Sequence, residues 1–315
     1  MYRNILCNPK EALVVALTSI LISPWAALAQ NCASGSPAAA VAGQPEYGTG
    51  TPKKIDIDEK GDVRKLSYVK IGDLAVFEGD IVLGNANEIE FAAQAGPIKT
   101  LKQNATSEEP TPFGYMARSV IGGARRWTNN TIPYVIDPGM TSGSIILQAM
   151  KAWEDKTKLK FVERNASNAG QYFNYVYFTA GTQPGVCLSY GVGMMGGQQR
   201  VELIPDCRFG EIAHEIGHVI GLDHEQNRSD RDSYIRIDVG NIVAGYIDQF
   251  EKRPSLYKDI GSYDFDSIMH YQADAFTCNN QKTIVALSSL PSGVRLGQRT
   301  HVSDGDSAAV NAFYK

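Results

Sequence analysis

Basic residues never gather in this sequence. Its 30 Lys and Arg are scattered among 34 Asp and Glu, for a net charge of −4, and no basic cluster carries interleaved aromatics. That distribution argues against a nucleic-acid partner. There is no glycine-rich phosphate loop and no repeat of fixed period, which leaves nucleotide chemistry and solenoid architectures without support. Beyond the N-terminus no apolar stretch is long enough to hold the protein in a membrane. Cysteine and histidine are both sparse, at 5 residues each. What remains, at 315 residues, 43% hydrophobic and 20% charged, is an ordinary soluble chain with material for one or two cores.

The few histidines are concentrated. One stretch reads His214-Glu215-Ile216-Gly217-His218-Val219-Ile220-Gly221-Leu222-Asp223-His224. On a helix, positions four apart share a face, so His214 and His218 grip one ion from the same side, with Glu215 a step around. Gly221 takes positive φ without penalty, ends the helix and returns the chain to deliver His224. Three imidazoles leave a fourth position on zinc open, as a catalytic site requires. A closed structural site would need another protein ligand and has no use for Glu215. The residues alone point to a metal-dependent hydrolase.

The N-terminus reads as an export signal. Arg3 and Lys10 supply positive charge, Ala12 to Ile22 is a short apolar run, and Ala27-Leu28-Ala29 offers a small-residue cleavage site. The run is too short for a typical membrane span. These features divide off residues 1–29 as a signal peptide and imply a secreted protein, extracellular or periplasmic. Ala, Gly, Ser and Pro dominate 33–52, suggesting a flexible linker. Gln103 to Pro110 is a second polar stretch.

Further residues give the chain a family likeness. The extended His motif is accompanied downstream by Ser267-Ile268-Met269-His270-Tyr271, and together they match the metzincin clan of zinc endopeptidases. Within it, Glu225 after the third histidine, the following Gln226-Asn227-Arg228-Ser229-Asp230, Ile132-Pro133-Tyr134 after Trp127, and the ending from Gly297-Gln298-Arg299 to Tyr314 resemble the astacins. The resemblance covers residues 119–315.

It implies an α+β, metzincin-like catalytic domain of two subdomains, with a mixed sheet, a zinc helix and a Met-turn, preceded by a pro-segment over 30–118. It implies one catalytic Zn2+ on His214, His218 and His224. Glu215 is then the general base, Tyr271 a zinc-facing group that stabilises the oxyanion, and Met269 packing beneath the metal. It pairs Cys187 with Cys207. The family's second disulfide is missing: Lys158 stands where one partner belongs, and Cys278 is left over. Cys278 is free, buried, or paired with Cys32 before processing; an inert buried thiol is the simplest expectation. Phe77-Glu78-Gly79-Asp80-Ile81 resembles the pro-segment motif whose aspartate, here Asp80, binds the zinc, although Gly-Asp is also common turn chemistry. Maturation by an activating protease falls near Arg118-Ser119, freeing an amino terminus that reaches Glu225. Substrates are proteins or peptides, laid along an edge strand at Ser189, Tyr190 and Gly191. Two alternatives belong to other classes: a zinc hydrolase of cell-wall amides or esters, and a non-catalytic binding protein on this scaffold.

Periodicity places the elements. Thr131 to Asp137 reads as a strand, with Pro133 marking an edge or irregular start. Ile145, Ile146, Ala149, Met150 and Trp153 mark a helix over 142–157. Phe161-Val162, Tyr172 to Phe178 and Gln199 to Ile204 alternate as strands. Glu211 to Ile220 forms the zinc helix, and Ser303 with Asp306 caps a last helix to about Phe313. His270 has no assigned role, and His301 reads as a surface residue.

Overall fold

The computed structural model describes residues 47–59, 62–99, 124–254 and 258–315. The export signal, residues 33–46 of the expected linker, Gln103 to Pro110 and the Arg118-Ser119 cut lie outside the described residues.

The first part of the chain builds a small antiparallel sheet. β1 (Thr51–Glu59) and β2 (Asp62–Ile71) pair along their length, from Thr51 opposite Lys70 to Glu59 opposite Asp62. β3 (Leu74–Phe77) and β4 (Ile81–Asn85) continue it, and α1 (Ala86–Ala93) follows directly. The Asn85 side chain accepts the backbone N–H of Asn87 and Glu88, satisfying donors that a helix start leaves open. β5 (Ile98–Lys99) lies parallel to β1. Ile55, Ile57, Leu66, Tyr68, Phe77, Leu83 and Ile89 are buried together in a core that Val192 of the larger part completes.

The larger part supplies β6 (Thr131–Ile136), α2 (Gly143–Lys156), β7 (Lys160–Glu163), β8 (Tyr175–Ala180), β9 (Leu188–Ser189), β10 (Gln198–Leu203) and α3 (Phe209–Ile220). After these come a two-stranded sheet, β11 (Ile235–Ile237) with β12 (Ile284–Ala286), and the closing α4 (Asp304–Phe313). The expected stripe on α2 is buried at Ile146, Ala149, Met150 and Trp153. It packs on α3, where the Trp153 indole donates to the Ala213 carbonyl at 2.9 Å. Ser303 caps α4, accepting the Asp306 N–H at 2.8 Å.

All strands but the last two join one mixed sheet of ten, ordered β5-β1-β2-β3-β4-β9-β10-β8-β6-β7. The join between its halves is short. β4 meets β9 in parallel at Ile81 and Ser189, and the Ser189 N–H donates to the Asp80 carbonyl at 3.0 Å. The architecture is α+β, as the resemblance implies, and the leading strands continue the sheet of the larger part.

Two expectations need correction, at residues 47–52 and at Cys278. Pro133 meets one of its two: β6 lies between β8 and β7 rather than at an edge, but Pro133 falls at its irregular start. β8 pairs only from Tyr134 onward, so at Pro133 the strand has β7 alone beside it and the missing N–H costs no ladder bond. The flexible stretch ends earlier than 52, because Tyr47 is buried against the rings of Tyr271 and Phe276 at 5.0 and 4.9 Å and β1 starts at Thr51. Cys278 is not an inert thiol; it is disulfide-bonded.

Cys187 and Cys207 form the disulfide expected of them, closing a loop with a sequence separation of 20. A loop of that size stabilises by about 3 kcal/mol on the entropic account. At Lys158 hydrogen bonds tie in the tail: the Asn311 side chain accepts the Lys158 N–H at 3.1 Å and donates to the Lys156 carbonyl at 3.0 Å.

Candidate metal centre

α3 positions the first two histidines. The Glu211 carboxylate accepts the Arg208 N–H at 3.0 Å and sits favourably at the helix's positive end. Gly221, at φ 120°, ends the helix and turns the chain. His214, His218 and His224 are all buried, and their rings gather within 4.7 to 5.3 Å of one another.

Each ring is oriented from behind. His214 Nδ1 donates to the Ile268 carbonyl at 2.8 Å, and His218 Nδ1 to the Leu222 carbonyl at 2.9 Å. His224 Nδ1 donates to the Glu78 carboxylate at 3.3 Å. With the proton held on Nδ1, each Nε2 turns inward, the arrangement that fixes metal-binding imidazoles. Asp80 comes from the turn between β3 and β4, made by Glu78 at φ 48° and Gly79 at φ 89°. It is both an ordinary Gly-Asp turn and part of the buried pocket. Its Oδ2 lies 3.0 Å from His214 Nε2 and 3.2 Å from His224 Nε2, and its Oδ1 lies 3.4 Å from His218 Nε2.

These four donor atoms lie within 4.8 Å of one another, and they fit a divalent cation. The electrostatics agree. Burial alone would raise the Asp80 carboxyl, yet the surrounding imidazoles hold it well below its usual range. Burial pushes His214 down to about 3, which keeps it neutral. At His224 burial also opposes charge, but Asp80 and Glu78 overcome it and raise the ring well above its usual value. The pocket favours positive charge at its centre.

The remaining expected residues sit around it. Glu215 is buried on α3 beside His214. Met269 packs directly beneath: a Cβ added at Gly217 would stand 2.3 Å from its sulfur. The Met-turn is pinned by Asp306, whose carboxylate accepts the Ser267 hydroxyl at 2.6 Å and the Ile268 N–H at 2.9 Å. Tyr271 is buried with its ring 4.6 Å from His224, and its hydroxyl donates to the Glu78 carbonyl. Glu225 accepts the Asp264 N–H at 2.7 Å, lies 3.5 Å from Arg228, and is pushed up to about 8 by burial despite that arginine. It lines a cavity of about 300 Å³ together with Ala124, Gly221 and Phe313. Ser189 lies in β9, where β4 meets it on the side away from β10, and Tyr190 and Gly191 follow directly after the strand.

Several contributors escaped the sequence. Glu78 is buried between His224 and Arg253, whose Nε is 3.1 Å from its carboxylate. Gln226 accepts the Tyr271 N–H at 2.9 Å. His270 has a structural role, bonding the Tyr263 hydroxyl and donating to the Tyr271 carbonyl, both at 2.7 Å. The nearest sequence signal for Glu78 is that it shares a five-residue motif with Asp80. His301 is exposed as expected and pairs with Asp266 at 2.9 Å.

Comparison with known proteins was consistent with this site. Residues 120–315 match the family described as Astacin, a peptidase family. Zinc metalloproteinase nas-4 of Caenorhabditis elegans is 34% identical over 265 residues, covering 82% of this chain and 76% of that protein. A bone morphogenetic protein 1 homolog of Strongylocentrotus purpuratus is 40% identical over 200 residues, 61% of this chain but 31% of the relative, so the chain spans under a third of that protein. Among solved structures, high choriolytic enzyme 1, a hatching enzyme zinc-protease of the medaka Oryzias latipes, aligns with TM-score 0.52 and 33% identity, covering 61% of this chain and 94% of that one.

Proposed function

The chain belongs to the astacin family of zinc metalloendopeptidases, and from that premise we propose that it is an exported endopeptidase made in a latent form, blocked by Asp80. The convergence of three inward-facing histidine Nε2 atoms on the Asp80 carboxylate carries this reading. One zinc ion on His214, His218 and His224 would supply a Lewis acid that polarises the scissile carbonyl and lowers the pKa of water towards about 7. Glu215 takes a proton from the attacking water and returns it to the leaving amine. Tyr271 donates to the developing oxyanion; in the latent form its hydroxyl is spent on a peptide carbonyl, that of Glu78. Asp80 holds the position that substrate and water need, and β4 covers β9 at Ser189, the start of the Ser189, Tyr190 and Gly191 edge along which a peptide would lie.

Residues 1–29 direct export, 30–118 inhibit and 119–315 catalyse. Cutting near Arg118-Ser119 frees an amino terminus for Glu225. The cavity beside Glu225 supports this, because Ala124, the first described residue after the cut, already lines it. Met269 supports the metal from below. Substrates are proteins or peptides.

Glu215→Gln tests the proposal. The processed variant retains zinc and loses on the order of 10²-fold or more in casein hydrolysis, the scale of general acid–base catalysis. A variant that keeps both its zinc and the parent's rate overturns it.

A further inference from the structure

Cys278 is disulfide-bonded, and Cys187 and Cys207 bond each other. The chain has 5 cysteines, so within one molecule the partner is Cys7 or Cys32, both ahead of Tyr47 in the sequence. Cys7 belongs to the segment that export removes. The start of the described chain points the same way. Tyr47 packs at 4.9 Å on the ring of Phe276, two positions before Cys278, and its hydroxyl accepts the Gln272 N–H at 3.0 Å. Gly50 exchanges hydrogen bonds with the Tyr246 hydroxyl at 2.9 and 3.0 Å, and Cys278 is held nearby by its N–H to the Asn241 carbonyl at 2.9 Å. The leading segment therefore arrives at the Cys278 loop. Residues 33–46, extended, span on the order of 40 Å, ample to reach it.

We propose that Cys32 and Cys278 are bonded to each other and that this bond keeps the inhibitory segment covalently attached after the chain is cut near Arg118. The inference rests on the latent-protease reading. The segment shares both buried clusters and a sheet with the catalytic part, so cleavage of the connecting backbone leaves it folded and seated. Proteolysis alone then does not unblock the cleft. Release needs a dithiol reductant: its thiolate attacks one sulfur, a mixed disulfide forms, and the second thiol displaces it. The dithiol is oxidised to a disulfide and Cys32 and Cys278 are reduced to thiols, with two electrons and two protons transferred. Cys278 is half-buried whereas Cys187 and Cys207 are buried, so mild reduction opens the tether first.

The test uses the full secreted chain carrying Glu215→Gln, which prevents self-digestion, cut with an arginine-specific protease and denatured. The expected result is one covalently joined species without reductant and two fragments with it, together with a non-reduced peptide joining Cys32 to Cys278. Two fragments without reductant, or Cys278 found bonded elsewhere, overturns the proposal. In a second arm Glu215 is intact. Cut Cys278→Ser, or Cys32→Ser should the first misfold, hydrolyses casein at least tenfold faster than the cut parent without reductant; equal rates overturn the tether's role in latency. A joined species with no hydrolysis from any form, reduced or not, instead counts against the endopeptidase reading.

Discussion

Gly217 stands between His214 and His218 on α3 for a reason that only packing reveals. Its Cβ would lie 2.3 Å from the Met269 sulfur, while Trp153 stands 3.4 Å away on the same side. The Met-turn is pinned by Asp306 and has little room to retreat. Gly217→Ala therefore overpacks the floor of the site and costs about 1 to 3 kcal/mol, visible as a lower urea midpoint at unchanged slope. Asp80→Ala tests latency at one residue. It removes the carboxylate that faces all three histidines but leaves Glu78 bridged to Arg253 and His224. Initial rates on a peptide substrate should place the uncut variant above the uncut parent and below the processed enzyme. An uncut variant as inactive as its parent would remove Asp80 from the inhibitory role. The three histidines and Glu215 were legible because their spacing is local in sequence. Asp80 was legible only through a family motif, and Glu78, Arg253 and Gln226 were not, because their partners come from distant elements.

Among elements, the β1–β2 hairpin docks on a short 3₁₀ helix at Ile247–Phe250. There Asp248 accepts the Ser67 hydroxyl at 2.7 Å and pairs with Lys54 at 2.5 Å. Partial burial works against the Asp248 charge, but Lys54, Ser67 and Arg253 prevail and lower its carboxyl below the usual value. A carboxyl lowered in the folded state stabilises that state above its unfolded pKa of about 3.9, and the contribution fades as pH falls through the lower folded value. Urea midpoints of the full chain and of Asp248→Asn should thus differ above pH ~5 and converge as acid drops below ~4. Curves that stay parallel would show that the pair contributes nothing. Periodicity made α2, β7, β8 and β10 readable, and the His motif and a capping box did the same for α3 and α4; all fall close to their expected spans. The β4–β9 join was not, because a contact between Ile81 and Ser189 leaves no periodic trace in either segment.

At the scale of the whole molecule, that join would make the proposed latency a matter of sheet continuity as well as metal chemistry. The strand order places β1 to β5 on one side of β9 and β10, β8, β6 and β7 on the other. β9 is thus an interior strand while the segment is seated and an edge once it leaves, and an exposed edge is what an extended peptide requires. The Ser189 N–H, bonded to the Asp80 carbonyl at 3.0 Å, reports the change directly. Its amide should exchange at least tenfold faster in the processed, segment-free enzyme, equivalent to about 1.4 kcal/mol of lost protection. Amides of β8 and β10 keep their ladder and should hold their rates. A peptide-like inhibitor added to the processed enzyme should restore protection at Ser189 if substrate takes the same edge. Fast exchange at Ser189 in the uncut chain would mean that the segment blocks the metal pocket without completing the sheet.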